Sequence, residues 1–256
     1  MTAATSPRGA PLAGKGDRRL FSRFARPGAA FPDRCGLTDS SATVSARKAV
    51  EGRQTQAERR RLSEGRIINA ALQVIAERGV SRMTLAEVGE RAGYSRGLPA
   101  HLFGTKSNLL CECMRRMDAD HWMNRLPEAG PVSGLKDLEA VVTRWLYELE
   151  TRVDFTRAYY ALIQEANCEG VNDYWPELCA VVREVVTGGQ QRYADYIRAA
   201  MARGEARPDI DPEMEAVILH TALRGAGLQA MIRPDSVDLK RYQAAILAKI
   251  DGLRAQ

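Results

Sequence analysis

The residues in this sequence best suited to chemistry are those that can hold an anion. Thr84 and Lys106 each stand where a helix is predicted to begin, and the free N–H groups and dipole of a helix N-terminus favour negative charge. They lie in a basic stretch, residues 59–117, with eleven basic and five acidic side chains. Residues 1–58 are also basic, ten against five, whereas residues 118–256 are acidic, with 16 basic and 22 acidic side chains. This pattern predicts a polyanionic partner for the N-terminal half and argues against a second such surface in the C-terminal half.

Groupings that carry out covalent chemistry do not stand out. The sequence shows no clear pair of carboxylates, nucleophile–base arrangement or glycine-rich phosphate loop, so it gives no support for catalysis. The five cysteines are irregularly spaced and lack the CxxC or Cys/His spacing of a zinc site. No apolar run approaches the ~20 residues needed to cross a bilayer. We therefore expect a cytoplasmic binding protein with reduced thiols, and predict no enzyme activity, metal, cofactor or membrane partner.

The elements that position the anion-binding residues are predicted to be helices. The first ends at Gly79 and has an apolar face with helical spacing. The residues of that face are Ile67, Ile68, Ala71, Leu72 and Ile75. A second helix begins at Thr84, which has capping-box spacing with Glu87, and it ends at Gly93 after about two turns.

A short third helix is predicted from Ser95, as its N-cap, to Phe103, and Lys106 opens a fourth. Two short helices joined by a tight, glycine-containing turn form a helix-turn-helix. Pro99 lacks a backbone N–H and disfavours helical geometry at Leu98. We therefore predict that the third helix starts late or begins as a tight turn.

The stretch RIINAALQVIAERGVSRMTLAEVGERAGYSRGLPAHLFGTKSNLL, residues 66–110, closely resembles the N-terminal domain of the tetracycline-repressor (TetR) family. The match extends in register from the paired alanines of the first helix to the paired leucines of the fourth. The resemblance implies a DNA-binding domain over residues 59–117 whose third helix reads the major groove of double-stranded DNA.

The resemblance also assigns roles to individual residues. The residues that would face DNA bases or backbone are Arg96, Gly97, Leu98 and His101. The residues that would hold phosphates are Thr84, Ser95 and Lys106. One family contact is missing, because relatives usually carry a tyrosine where this chain has Ala100.

The C-terminal part, residues 118–256, also reads as helices, so we predict an all-α fold. Its layout resembles the family's ligand-binding and dimerisation domain. The resemblance implies a small-molecule pocket, for which the apolar and aromatic candidates are Met117, Trp122, Trp145, Tyr159, Tyr160, Leu162, Cys168 and Trp175. It also implies a homodimer built through residues 174–203 and 212–233.

Small and apolar side chains in the second of these segments are the candidate dimer contacts. They are Ile218, Ala222, Gly225 and Ala226. The small residues among them suit equally the close approach of two subunits or tight packing within one subunit.

The implied function is a transcription regulator, a repressor that an unknown small-molecule effector releases from a palindromic operator. Two alternatives stay open: an architectural DNA-binding dimer without a ligand, and a helical small-molecule-binding protein whose reader domain is impaired. Residues 1–58 are rich in Ala, Gly, Pro, Ser and Arg, and are predicted to be disordered. They would form a basic DNA-binding arm or a passive tail. Alternatively, translation would start at a later codon, and most of this segment would not be made.

Overall fold

A reciprocal capping box starts the first helix. The Thr55 hydroxyl accepts a hydrogen bond from the Glu58 N–H at 3.2 Å, and the Thr55 N–H donates to the Glu58 carboxylate at 2.8 Å. This cap places the start of the helix at Gln56, so the last residues assigned to a disordered extension are helical instead. The rest of the predicted extension, residues 1–54, lies outside the described residues.

The computed structural model describes residues 55–123, 134–166, 175–233 and 237–255. Within these ranges the chain is helical and forms no strand, which confirms the predicted all-α fold. No helix in this part of the chain has the length and apolar character to cross a membrane. The helices are α1 (Gln56–Arg78), α2 (Leu85–Arg91), α3 (Leu98–Phe103), α4 (Lys106–Met123), α5 (Leu135–Thr151), α6 (Val153–Ala166), α7 (Pro176–Ala202), α8 (Pro212–Ile232) and α9 (Leu239–Asp251).

Two apolar clusters hold these helices together. The first joins the buried faces of α1 and α4 to Ala158 and Leu162 of α6 and to Leu178 and Val181 of α7. The second joins α5, the later part of α7, α8 and α9. The first cluster therefore crosses the predicted domain boundary at residue 117, and the core of the N-terminal helices continues into α6 and α7.

The start of α8 is fixed by a capping aspartate and a proline. The Asp211 carboxylate accepts hydrogen bonds from the N–H groups of Glu213 and Met214 at 3.0 and 3.1 Å. Pro212 occupies the first helical position, where a missing N–H removes no helical bond. The cap and the proline together fix where α8 begins after the turn that leaves α7.

Candidate nucleic-acid interface and ligand cavity

One glycine, Gly89, allows close packing within the helix-turn-helix that α2, the following turn and α3 form. A Cβ on Gly89 of α2 would lie 2.5 Å from the Ser95 carbonyl oxygen and 3.1 Å from Cδ of Pro99. Real side chains do not approach backbone so closely, so only glycine lets the turn pack on α2. Gly93 turns the chain with a φ of +78°. The sequence alone did not indicate this requirement at Gly89.

The cap at the start of α2 is only half of the predicted box. The Thr84 hydroxyl accepts from the Glu87 N–H at 3.2 Å, as expected. The Glu87 carboxylate, however, pairs with Arg78 of α1 at 2.7 Å and does not return to Thr84. The ion pair of Glu87 with Arg78 therefore links the start of α2 to the end of α1.

The start of α3 confirms the prediction drawn from Pro99. The helix begins at Leu98, with Gly97 and not Ser95 in the N-cap position. The Leu98 N–H first forms a turn bond to the Ser95 carbonyl at 3.1 Å, and the His101 N–H makes the first helical bond, to Gly97, at 3.0 Å. Pro99 is buried in the first helical turn, where its missing N–H leaves no bond unmade.

The outer side of α3 is polar and exposed. Ser95, Arg96, Gly97 and His101 are all exposed, and Thr84 is exposed at the start of α2. Arg96 has 74% of its side chain accessible, and its Nε lies 3.4 Å from the Glu90 carboxylate in a solvent-screened pair. The guanidinium can therefore leave this pair at small cost when a phosphate or base edge is offered.

Two residues predicted to contact DNA have other surroundings. Leu98 is half-buried and packs against the first apolar cluster. Lys106 is also half-buried: its Nζ donates to the Ser81 carbonyl at 3.2 Å and lies 5.5 Å from the ring centroid of Trp175. Burial lowers the pKa of Lys106 from its usual value, although the charge of Glu165 opposes that shift. The ammonium group of Lys106 thus already has partners within the subunit, and we expect it to contribute less to phosphate binding than the sequence predicts.

Helix α4 connects this surface with the C-terminal helices. It begins three residues after α3 ends, and near its start the Ser107 hydroxyl donates to Glu177 of α7 at 2.8 Å. Towards its other end, Met117 and Asp118 line a cavity, and Asp118 pairs with Arg192 of α7 at 3.2 Å. One helix therefore lies beside α3 at one end and forms part of the cavity wall at the other.

The cavity lies between α4, α5, α6, α7 and α8 and spans about 690 Å³, a figure that includes space open to solvent. Its aromatic wall consists of Trp145, Phe155, Tyr159, Tyr160 and Tyr193. Tyr159 and Tyr160 meet edge to face, with ring centroids 5.5 Å apart. The Tyr160 hydroxyl donates to the Arg224 carbonyl of α8 at 2.7 Å. A predominantly aromatic wall with a few polar groups is typical of a small-molecule site.

Helix α8 contributes two polar side chains, His220 and Arg224, to the cavity wall. Arg224 donates from Nε to Nε2 of His220 at 3.1 Å, and its guanidinium lies 5.1 Å from the ring centroid of Tyr159. His220 is only 9% exposed. Burial, with a contribution from the nearby Arg224 charge, lowers the pKa of His220 to about 3, so the imidazole is neutral near pH 7 and its Nε2 accepts. Glu148 also lines the cavity and pairs with Arg144 at 3.1 Å.

The predicted pocket residues divide into three groups. Met117, Trp145, Tyr159 and Tyr160 line the cavity. Leu162 and Trp175 do not, because Leu162 is fully buried in the first apolar cluster and Trp175 donates to Glu165 at 3.2 Å beneath Lys106. The Trp122 side chain and Cys168 lie outside the described residues.

The sequence interpretation missed His220 and Arg224. Their i, i+4 spacing places them on one face of α8, and this was the available signal.

One face of α8 is apolar and exposed. Met214, Val217, Ile218 and Ile232 expose 56, 39, 40 and 63% of their surface. Gly225 lies on the exposed side with nothing within 4 Å of its Cβ direction, whereas Ala222 is half-buried.

Ala226 was predicted as a dimer contact but is 2% exposed, within the second apolar cluster. Its packing is therefore internal to the subunit, and the predicted set of dimer contacts is corrected by its removal.

Two family models match this chain. Bacterial regulatory proteins, tetR family, match residues 67–113, and the C-terminal domain of BetI-type transcriptional repressors matches residues 135–255. Together these ranges span more than half of the sequence.

Individual proteins are also similar. The HTH-type transcriptional regulator TtgR of Pseudomonas putida is 24% identical over 187 residues, which cover 69% of this chain and 84% of TtgR. The HTH-type transcriptional regulator BetI of Burkholderia thailandensis is 41% identical over 63 residues, 25% of this chain and 32% of BetI. SmeT, the repressor of the Stenotrophomonas maltophilia multidrug efflux pump SmeDEF, has a similar fold, with a TM-score of 0.62 and 24% identity over 75% of this chain and 90% of SmeT.

Proposed function

Because the chain belongs to the TetR family of bacterial transcriptional regulators, we propose that it is a repressor that a small-molecule effector releases from a palindromic operator. The DNA-reading surface would be the exposed side of α3 with its preceding turn, where Arg96 and His101 can reach bases or phosphates. Thr84 and Ser95 are exposed and would meet the phosphate backbone at the edges of this surface.

The observation that carries the proposal is the course of α4. The helix begins beside α3, and its later part contributes Met117 and Asp118 to the cavity wall. An effector that moves the cavity end of a rigid helix also displaces the end that supports α3. The effector would then favour one geometry of the reading helices and shift the population away from the one that fits DNA.

The operator is palindromic if the protein acts as a homodimer. We propose that the exposed apolar face of α8 packs on its copy in a partner, with Ile218 and Gly225 at the contact and α7 alongside. Several exposed apolar side chains on one face of a helix form the kind of patch that marks a protein–protein contact. The dimer would present two copies of α3 about 34–36 Å apart, to successive major grooves.

Membership in a family of regulators supports DNA binding as the activity of this protein and the cytoplasm as its location. We propose no catalytic role. Two alternatives remain distinct from the repressor. An architectural protein would bind DNA without sequence preference and without an effector. A carrier would use the cavity alone.

Footprinting on the DNA that flanks its own gene separates these functions. We expect one protected palindrome, which Arg96→Ala weakens and which the matched surface change Arg241→Ala on α9 leaves intact. Uniform protection would point to the architectural protein. The absence of protection at low salt would refute DNA binding and leave the carrier.

A further inference from the structure

The charges of the cavity wall are unequally compensated. Asp118 pairs with Arg192 at 3.2 Å, and Glu148 pairs with Arg144 at 3.1 Å. Arg224 is different: its hydrogen bond goes to a neutral imidazole, and no carboxylate among the described residues pairs with it. The cavity wall therefore carries one positive charge, that of Arg224, which has no carboxylate partner among the described residues.

An unmatched charge in a partly enclosed, aromatic cavity is costly until an opposite charge arrives. A carboxylate matches the planar guanidinium fork of arginine with two parallel hydrogen bonds, which are about twice as strong as neutral ones. Arg224 is held for this contact from two sides, because His220 accepts from its Nε and Tyr160 donates to its carbonyl. A bound anion would thus meet a preorganised cation.

The aromatic faces argue against a cationic ligand. The guanidinium of Arg224 lies 5.1 Å from the ring centroid of Tyr159, and that of Arg152 lies 3.9 Å from the ring centroid of Phe155. Two of the five aromatic rings of the wall, which could otherwise bind an ammonium group, are thus already taken by the chain's own cations. A ligand cation would meet repulsion there, whereas an anion would complete the arrangement.

We propose that the cavity takes a small organic acid, whose carboxylate pairs with Arg224 and whose apolar ring lies against Trp145 and Tyr193. This assignment rests on the proposed effector site and names the chemical class of the effector. Gly227 lets these aromatic side chains pack close to α8, since a Cβ at that position would lie 2.9 Å from Cζ of Tyr160 and 3.0 Å from the indole of Trp145.

Calorimetric titration of the full chain with three matched probes tests the charge preference. The probes are naphthalene-2-carboxylate, its neutral amide, and the corresponding naphthylmethylammonium cation. We expect the carboxylate to bind tightest, by about 10- to 100-fold over the amide, as a hydrogen bond between charged groups would give. Equal binding of acid and amide, tightest binding of the cation, or no binding of any probe at millimolar concentration would overturn the proposal.

Variants of Arg224 then locate the contact. Arg224→Met keeps the aliphatic stem and should weaken carboxylate binding by about 10- to 100-fold with little effect on the amide, and Arg224→Lys should retain part of the preference. The matched control is Arg241→Met, at an exposed arginine on α9 outside the cavity. An equal loss in Arg224→Met and Arg241→Met would overturn the assignment.

Operator binding without any probe is measured on the same preparations. If DNA is bound and the acid is not, the ligand class is wrong and the regulator stands. If the acid is bound and no DNA is protected, the regulator is wrong and the ligand class stands.

Discussion

Lowering the pH should destabilise this protein through His220. The folded protein holds the pKa of this imidazole at about 3, against an ordinary value of 6.5, because the ring is buried beside Arg224. Below pH 6.5 the unfolded chain binds a proton at this position and the folded chain does not. The contribution of His220 to stability is therefore present above pH 6.5 and is lost as the pH falls towards 3.

The size of the effect follows from the shift. One pKa unit corresponds to about 1.4 kcal/mol, so His220 should lower the free energy of unfolding by about 2 kcal/mol between pH 7 and pH 5. Because the side chain is only 9% exposed, solvent screening does not reduce this figure greatly. Carboxylates also titrate in this range, so a matched variant is needed to isolate the histidine.

His220→Gln supplies that comparison, since glutamine can accept from Arg224 and does not titrate. Urea denaturation is measured at pH 7 and pH 5 for both proteins at one fixed concentration, as an oligomer requires. The wild type should lose about 2 kcal/mol more than the variant over this interval. An equal loss of unfolding free energy in both proteins would refute the inference that a neutral, buried imidazole lies in the cavity wall.

Three further predictions concern the DNA-reading half and the dimer. Gly89→Ala should destabilise the fold by about 1–3 kcal/mol through overpacking, and it should weaken DNA binding. The control Gly65→Ala, in open space on α1, should be neutral or stabilising. Thermal melts that show Gly65→Ala to be the less stable variant would contradict the close approach of the turn to Gly89. Ile218→Glu should convert the dimer into a monomer in light scattering and weaken operator binding, and an unchanged mass would exclude this face of α8. Arg96→Ala should reduce the salt dependence of DNA binding by about one unit while Lys106→Ala leaves it unchanged, and the reverse result in filter-binding titrations would restore the phosphate role of the lysine.

The helix-turn-helix could be predicted because its signals are local. Pro99 restricts its own backbone and that of Leu98, so the late start of α3 followed from two adjacent residues. The Thr84 cap likewise depends on a residue three positions away. Such short-range constraints hold whatever the rest of the chain does.

The cavity and the position of Lys106 could not be predicted in the same way. The contact between Tyr160 and Arg224 joins residues 64 apart, and Lys106 meets a ring that follows two intervening helices. Helical periodicity shows which face of a helix is apolar but not which distant helix covers it. For this reason Leu162 and Trp175 were assigned to the pocket on residue type alone, and both lie elsewhere.

The first apolar cluster limits how far the two halves of the protein can be exchanged. Because Ala158, Leu162 and Leu178 complete the core of α1 and α4, a reader cut at residue 117 would expose the apolar surface that they cover. A chimaera that joins this reader to another sensor would need to carry α6 and the start of α7 with it. Recombination between relatives should accordingly be tolerated at junctions that leave this shared core intact, and the modular unit of inheritance is larger than the DNA-binding motif.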